Sequence, residues 1–234
     1  MQLKGKTVVV VGGSSGIGFS TAEFAKAEGA DVIVASHNPE RLKAAADKLG
    51  ARAIVTDVTS DDSVEKLFRA CGTVDHVVVT AALLRTGPIK TVSMDDVRST
   101  MEGKFWGAWR AARYADIRKD GSLNLVSGFL SVRPRPNAAI VSSINGALES
   151  LTRALALDLA PVRVNCVSPG LIDTPIRAAM PEAARREMLD KTAASLPVRR
   201  VGLAEDVARQ ILAFMTNGFA TGSIVYIDGG GLVI

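Results

Sequence analysis

Apolar residues in this chain fall into short runs separated by longer stretches with helical spacing. Thr7–Val11, Asp31–Ser36, Ala53–Thr56, His76–Val79, Ser122–Ser127, Arg163–Val167 and Ile224–Ile227 each read as a strand, and several are apolar throughout. A strand with one wet face alternates; one that is apolar at every position is covered on both faces, as in parallel sheets. Between the strands, Ile17–Glu28, Pro39–Leu49, Asp62–Cys71, Met94–Ala115, Ala138–Leu159 and Ala204–Thr216 read as helices. Asn38 before Pro39 fits a helix start, and Gly29 and Gly50 fit helix ends. Strands alternating with helices predict an α/β, three-layer, doubly wound sheet of seven parallel strands, with helices on both faces and right-handed crossovers. The 234 residues suit a single domain spanning 1–234, without repeat or linker. The least regular stretch, residues 171–202, is rich in Pro, Ala and charge and is a candidate substrate flap.

Composition excludes more than it selects. Hydrophobic residues make up 47% and aromatics 5%, so the core must be built from Ala, Val, Leu and Ile. The net charge of +4 invites a nucleic-acid reading, but Lys and Arg are scattered among 24 acidic residues without a basic run. Cys71 and Cys166 lack metal-ligand spacing and read as buried thiols in a reducing compartment, and no metal site is expected. No apolar run approaches the ~20 residues of a membrane span. The first strand begins almost at once, leaving no room for a signal peptide. The expectation is a soluble cytoplasmic protein with a small-molecule partner.

Chemistry enters at Val11-Gly12-Gly13-Ser14-Ser15-Gly16-Ile17-Gly18. Gly12, Gly16 and Gly18 follow a strand and open a helix. There, a tight turn and close backbone approach would let helix N-terminal amides meet a pyrophosphate. This reads as a dinucleotide-binding turn of a Rossmann fold rather than a Gly-rich turn without ligand, although three residues separate its first two marked glycines.

That spacing resembles the cofactor loop of the short-chain dehydrogenase/reductase family. Asp57-Val58 is similar to the family's adenine contact. The run Asn165 to Pro175, including Pro169, Gly170, Ile172 and Thr174, is similar to its nicotinamide-side segment. Gly222 and Asp228-Gly229-Gly230 are similar to its C-terminal signature. The matches run in order from about Leu3 to Gly230. Val11 replaces a usual Thr. Val79-Thr80-Ala81-Ala82 replaces a usual Asn-Asn-Ala-Gly, keeping small residues beside the cofactor. The resemblance implies NAD or NADP. A carboxylate closing the second strand would select NAD, but Ala35-Ser36-His37-Asn38 has none, and Ser36, His37, Asn38 and Ser14 or Arg41 can donate to a 2′-phosphate. NADP(H) is therefore preferred, with NAD(H) as the alternative.

The resemblance also implies a Tyr that transfers the proton, a Lys four residues later and a Ser thirteen residues before the Tyr. Aligning Asn145-Gly146-Ala147-Leu148-Glu149 with the stretch that begins at the family's Lys puts Asn145 at the Lys, Val141 at the Tyr and Gly128 at the Ser. Tyr114 and Tyr226 lie in other elements. Aligning Met101–Gly107 with the preceding long helix puts Lys104 where the family has an Asn. On one view Lys and Asn have exchanged places, Lys104 reaching the nicotinamide ribose or the substrate oxygen and Asn145 keeping a hydrogen bond to the ribose; on the other, Lys104 is a solvated helix residue or a packing strut. Lys104, Asn145 and Ser131 are the catalytic candidates. Ser131 and Ser142 are spare hydroxyls nearby, and Arg133 and Arg135 could meet an anionic substrate. Three classes stay open: an atypical NADPH-dependent oxidoreductase, a non-catalytic dinucleotide binder, and a lyase or isomerase. The intact loop and the segment from Pro169 to Thr174 favour the first two. The helices Met94–Ala115 and Ala138–Leu159 match those that pair across two-fold axes in relatives, which implies a homodimer or homotetramer.

Overall fold

In the computed structural model, which describes residues 2–234, the strands are β1 (Thr7–Val11), β2 (Asp31–Ser36), β3 (Arg52–Val55), β4 (Val74–Val79), β5 (Ile117–Val126), β6 (Arg163–Pro169) and β7 (Ile224–Ile227). All pair in parallel, in the order β3-β2-β1-β4-β5-β6-β7. The helices are α1 (Gly16–Ala27), α2 (Pro39–Leu49), α3 (Asp61–Cys71), α4 (Met94–Met101), α5 (Gly107–Tyr114), α6 (Ala139–Asp158), α7 (Glu182–Ser195) and α8 (Ala204–Thr216).

The all-apolar strands serve two cores. Val9, Val11, Val77 and Leu123 face one layer with Phe68, Ala111, Ile144 and Leu148. Val8, Val10, Val32 and Val78 face the other with Ala22, Leu42, Ile211 and Phe214. Successive strand residues point to opposite faces, so two covering layers require an apolar residue at every position. Strand order reverses between β1 and β4, which opens a crevice at their C-terminal ends, where this architecture binds ligands.

Local signals act as expected at α2. Asn38 Oδ1 accepts from the Arg41 amide at 2.9 Å, Pro39 occupies the first turn, and Gly50 closes the helix with φ 57°. Three expectations are corrected. The span Met94–Ala115 is two helices joined by a π-helical turn, Glu102–Trp106. Two glycines mark this break: a Cβ on Gly103 would stand 3.0 Å from Leu83 Cβ, and one on Gly107 3.2 Å from Val58 Cβ. Residues 171–202 are not irregular throughout, because α7 fills their second half. Its Ala, Glu, Arg, Met and Leu content favours a helix, but it buries no residue and so carries no apolar stripe. Cys71 is half-buried rather than buried, with its thiol pushed up to about 11 by burial, whereas Cys166 is fully buried.

β5 begins five residues before the expected Ser122, since the polar run from Arg118 to Ser122 masks its edge. Asp75 anchors that end of the sheet, accepting from the Thr7 amide at 2.8 Å and from Lys6 Nζ at 2.9 Å. No helix among the described residues is long and apolar enough to cross a membrane.

Candidate active site

The glycine loop lies at the switch point, pressed against the end of β4. The Thr80 and Ala81 amides both donate to Val11 O, at 2.8 and 3.1 Å. A Cβ on Gly12 would stand 2.5 Å from Thr80 Oγ1, and one on Gly18 would run into Gly12 O. These two glycines pack backbone against backbone. Gly16 differs: it has φ 53°, and a Cβ there would lie 3.4 Å from the Thr174 side chain. Loop and β6-end segment therefore lie close together beside the α1 amides and form a cradle, next to a helix N-terminus of the kind that favours anions. Ser14, Ser15 and Ile17 line the same turn, half-buried.

At the end of β2, Ser14 Oγ donates to Ser36 Oγ at 3.0 Å, and His37 is exposed beside them with no carboxylate in the strand end. The Asn38 side-chain oxygen is committed to capping α2, so only its amide nitrogen remains for a ligand. Asp57 accepts from the Thr59 amide and hydroxyl at 2.9 and 2.8 Å, bonds that hold its carboxyl below the usual range. Val58 and Ala81 are half-buried and Ala82 exposed along the same rim. On the far wall, Pro169 and Ile172 are buried. Gly170 abuts Asp228, whose carboxylate accepts from the Gly230 and Leu232 amides and shapes the C-terminal turn.

Beyond the cradle, the structure brings Lys104 and Asn145 together. Lys104, in the π turn, is 6% exposed; its Nζ donates to Ser127 O and to Asn145 Oδ1, both at 2.7 Å. Burial pushes the ammonium down to about 8, against smaller opposing effects from Cys166 and Glu149. It is neither a solvated helix residue nor a distant one. Two of its three protons are used, and no third acceptor is placed among the described residues.

Gly128 makes room for this arrangement. A Cβ at residue 128 would fall 2.7 Å from Asn145 Nδ2, and Asn145 is held by Lys104 on its other side. Gly128→Ala should therefore cost about 1–3 kcal/mol by overpacking. Much of that should vanish in the Gly128→Ala/Asn145→Ala pair, as measured by urea denaturation. Strictly additive losses would mean the two residues do not touch.

The sequence reading missed a second buried charge. On α6 the covered stripe runs Val141, Ile144, Asn145, Leu148, Glu149, Thr152 and Leu155, so Glu149 lies one turn beyond Asn145 and faces inward. Its Oε1 accepts from Ser127 Oγ (3.1 Å), Ser131 Oγ (2.6 Å) and Ser168 Oγ (3.0 Å), and its Oε2 from Tyr226 Oη (3.0 Å). Tyr226, set aside by sequence position, is thus linked to Lys104 through Glu149 and Ser127; its phenol is pushed up by burial and by that carboxylate. Ser131 is not free: its hydroxyl is turned to Glu149. Ser142 Oγ is buried without a partner. Arg133 reaches back to Gly231 O and ties its loop to the C-terminus, whereas Arg135 stays exposed. Among the described residues no cluster of His, Cys, Asp or Glu is placed to hold a metal ion.

A glycine loop at the switch point of a 3-2-1-4-5-6-7 sheet is the architecture of the doubly wound α/β class, and comparison with known proteins narrows it. A family model described as enoyl-(acyl carrier protein) reductase matches residues 11–231. The short-chain dehydrogenase/reductase malC of Malbranchea aurantiaca is 30% identical, with 99% of this chain and 96% of that protein covered. The 3-oxoacyl-[acyl-carrier-protein] reductase FabG of Thermotoga maritima is 29% identical over 98% of this chain and 99% of its own length. The crystal structure of a small-chain dehydrogenase in complex with NADPH superposes with a TM-score of 0.86 at 33% identity, covering 98% of this chain and 99% of the other. The chain belongs to the short-chain dehydrogenase/reductase family.

Proposed function

We propose that the chain is an NADP(H)-dependent oxidoreductase acting on a carbonyl or alcohol of a small molecule, with Lys104 in place of the proton-transferring groups absent at Gly128, Val141 and Asn145. The observation that carries this reading is the Lys104 ammonium, buried beside the end of β5 with two carbonyl-type acceptors at 2.7 Å and one proton to spare. A group titrating near 8 is charged at neutral pH yet close enough to neutrality to give up a proton. Asn145 orients it. Gly12, Ser14, Ser15, Gly16, Ile17 and Gly18 would hold the pyrophosphate. Ser36, His37 and Asn38 would meet the 2′-phosphate, Asp57 and Val58 the adenine, and Ala81, Ala82, Pro169, Gly170, Ile172 and Thr174 the nicotinamide side. The bound dinucleotide supplies hydride; the chain supplies orientation and the proton. The NADPH complex of one solved relative and the reductase name of another support the choice.

A non-catalytic binder is the second reading, and one observation favours it: Lys104 and Asn145 satisfy each other, and Val141 beside them is buried and apolar. Stopped-flow absorbance of bound NADPH mixed with a panel of carbonyl compounds separates the two. Oxidation by at least one compound is expected, and none would favour the binder. Calorimetry should show NADPH binding more tightly than NADH, because no carboxylate closes β2; the reverse order would overturn the cofactor assignment. The same reading includes a homodimer or homotetramer, with Trp106 and Trp109 near α4–α5 and Leu157 on α6 exposed to meet a second copy.

A further inference from the structure

The buried charges near the end of β5 form a divided pair. Lys104 and Glu149 make no direct salt bridge; Ser127 stands between them, its carbonyl accepting from Lys104 Nζ at 2.7 Å and its hydroxyl donating to Glu149 Oε1 at 3.1 Å. Asn145, one helical turn from Glu149 on α6, completes the link by accepting from the same ammonium. The carboxylate is 5% exposed and has four hydroxyl donors but, among the described residues, no cation within ion-pair distance. A buried charge without a partner is costly, and hydroxyl dipoles alone offset only part of that cost. Separation has a chemical consequence. A carboxylate touching Lys104 would take one of its protons in a hydrogen bond, whereas one held back by Ser127 leaves the third ammonium proton free.

We propose that Glu149 is a positioning residue: the remote counter-ion that keeps Lys104 protonated, and the anchor that fixes the Ser127–Ser131 turn on both sides of Gly128. The inference rests on the reading of Lys104 as a working ammonium. It adds a residue that touches neither substrate nor cofactor. The charged and titratable groups around the pair are few. Lys104 faces Glu149 from α6 and Cys166 from β6. Glu149 faces Lys104, Cys166 on β6 and Tyr226 on β7, with Arg153 one turn along its own helix. Cys166 is held neutral by burial, so Glu149 is the negative charge available to Lys104.

The test reads Lys104 directly, without turnover. Protein labelled with ¹³C at lysine Cε is titrated by NMR, with Lys104→Arg locating the signal. In Glu149→Gln, which keeps the shape and loses the charge, the Lys104 midpoint should move at least one pH unit toward acid from about 8, a tenfold or greater loss of proton affinity. Glu149→Asp, which keeps the charge, should restore most of it. An unmoved midpoint in Glu149→Gln overturns the proposal. Should that variant not fold, carboxyl ¹³C signals of the parent protein decide: Glu149 must be ionised throughout the range in which Lys104 titrates, and a carboxyl still protonated there overturns the proposal equally. Failure of the functional reading looks different. It would leave these titrations intact while Lys104→Met showed unchanged NADPH oxidation.

Discussion

Lys104→Met should lower carbonyl turnover at neutral pH by roughly 10²- to 10⁴-fold, the usual worth of a positioned acid, while leaving the melting temperature within a few degrees of the parent. The stability half follows from opposing effects of similar size. Burial lowers the ammonium from 10.5 to about 8, a penalty on the order of 3 kcal/mol for keeping the charge inside. Because the folded chain holds this proton less tightly than the unfolded chain, the penalty is fully present below pH 8. It is relieved as pH rises from about 8 towards 10.5. Met removes that penalty. It also strands Ser127 O and Asn145 Oδ1 without their donor, at about 1–3 kcal/mol each, and leaves Glu149 without its distant cation. The terms offset. A purely structural lysine would behave in the opposite way, with lost stability and retained turnover. The pH profile adds a second reading: the parent's reduction rate should be level below about 8 and fall above it, and the variant's residual rate should show no such step. Steady-state rates and thermal scans on the same preparations check all three points.

The fold was legible because its signals are redundant. A strand such as Val8-Val9-Val10-Val11 cannot be soluble on either face, and α2 carries its start and stop in Asn38, Pro39 and Gly50. Where one signal stood alone the reading slipped. The first half of β5 is polar and exposed, tied to Lys6 through Asp120 and to Asp75 through Arg118. α7 buries nothing and so lacks the period by which helices are recognised. In the site, Lys104 and Asn145 were picked out as candidates by a register argument, and the structure places the two side chains in contact. Glu149 was not seen, although a signal existed: it is four residues from Asn145, on the stripe that also holds Val141, Leu148 and Thr152, so any residue there must face inward. What no pattern within α6 could supply is its set of donors. Ser127 and Ser131 follow β5, Ser168 is in β6 and Tyr226 in β7, and only the sheet order brings them to one carboxylate.

Two glycine substitutions in the cradle should fail in different ways, and the contrast tests where the dinucleotide lies. Gly12→Ala puts a methyl 2.5 Å from Thr80 Oγ1 and 2.6 Å from the Ala81 nitrogen, at φ 93°. The neighbours are largely backbone and cannot move aside without breaking the β1–β4 junction. Left-handed strain of about 1–2 kcal/mol and overpacking of about 1–3 kcal/mol together remove a large part of a typical stability of about 5–15 kcal/mol. The urea midpoint should drop accordingly, with cofactor affinity lost as a by-product. Gly16→Ala meets nothing nearer than Thr174 at 3.4 Å, so only the strain of φ 53° remains and the midpoint should move little. Yet its methyl would stand between the loop and the β6-end segment, where the proposed function has the pyrophosphate come close to backbone. NADPH affinity should therefore fall tenfold or more, about 1.4 kcal/mol at least, in a protein that is still folded. Calorimetry beside urea denaturation resolves the two cases. A Gly16→Ala protein that binds NADPH as tightly as the parent would place the phosphates elsewhere, and with them the identity of the pocket that Lys104 serves.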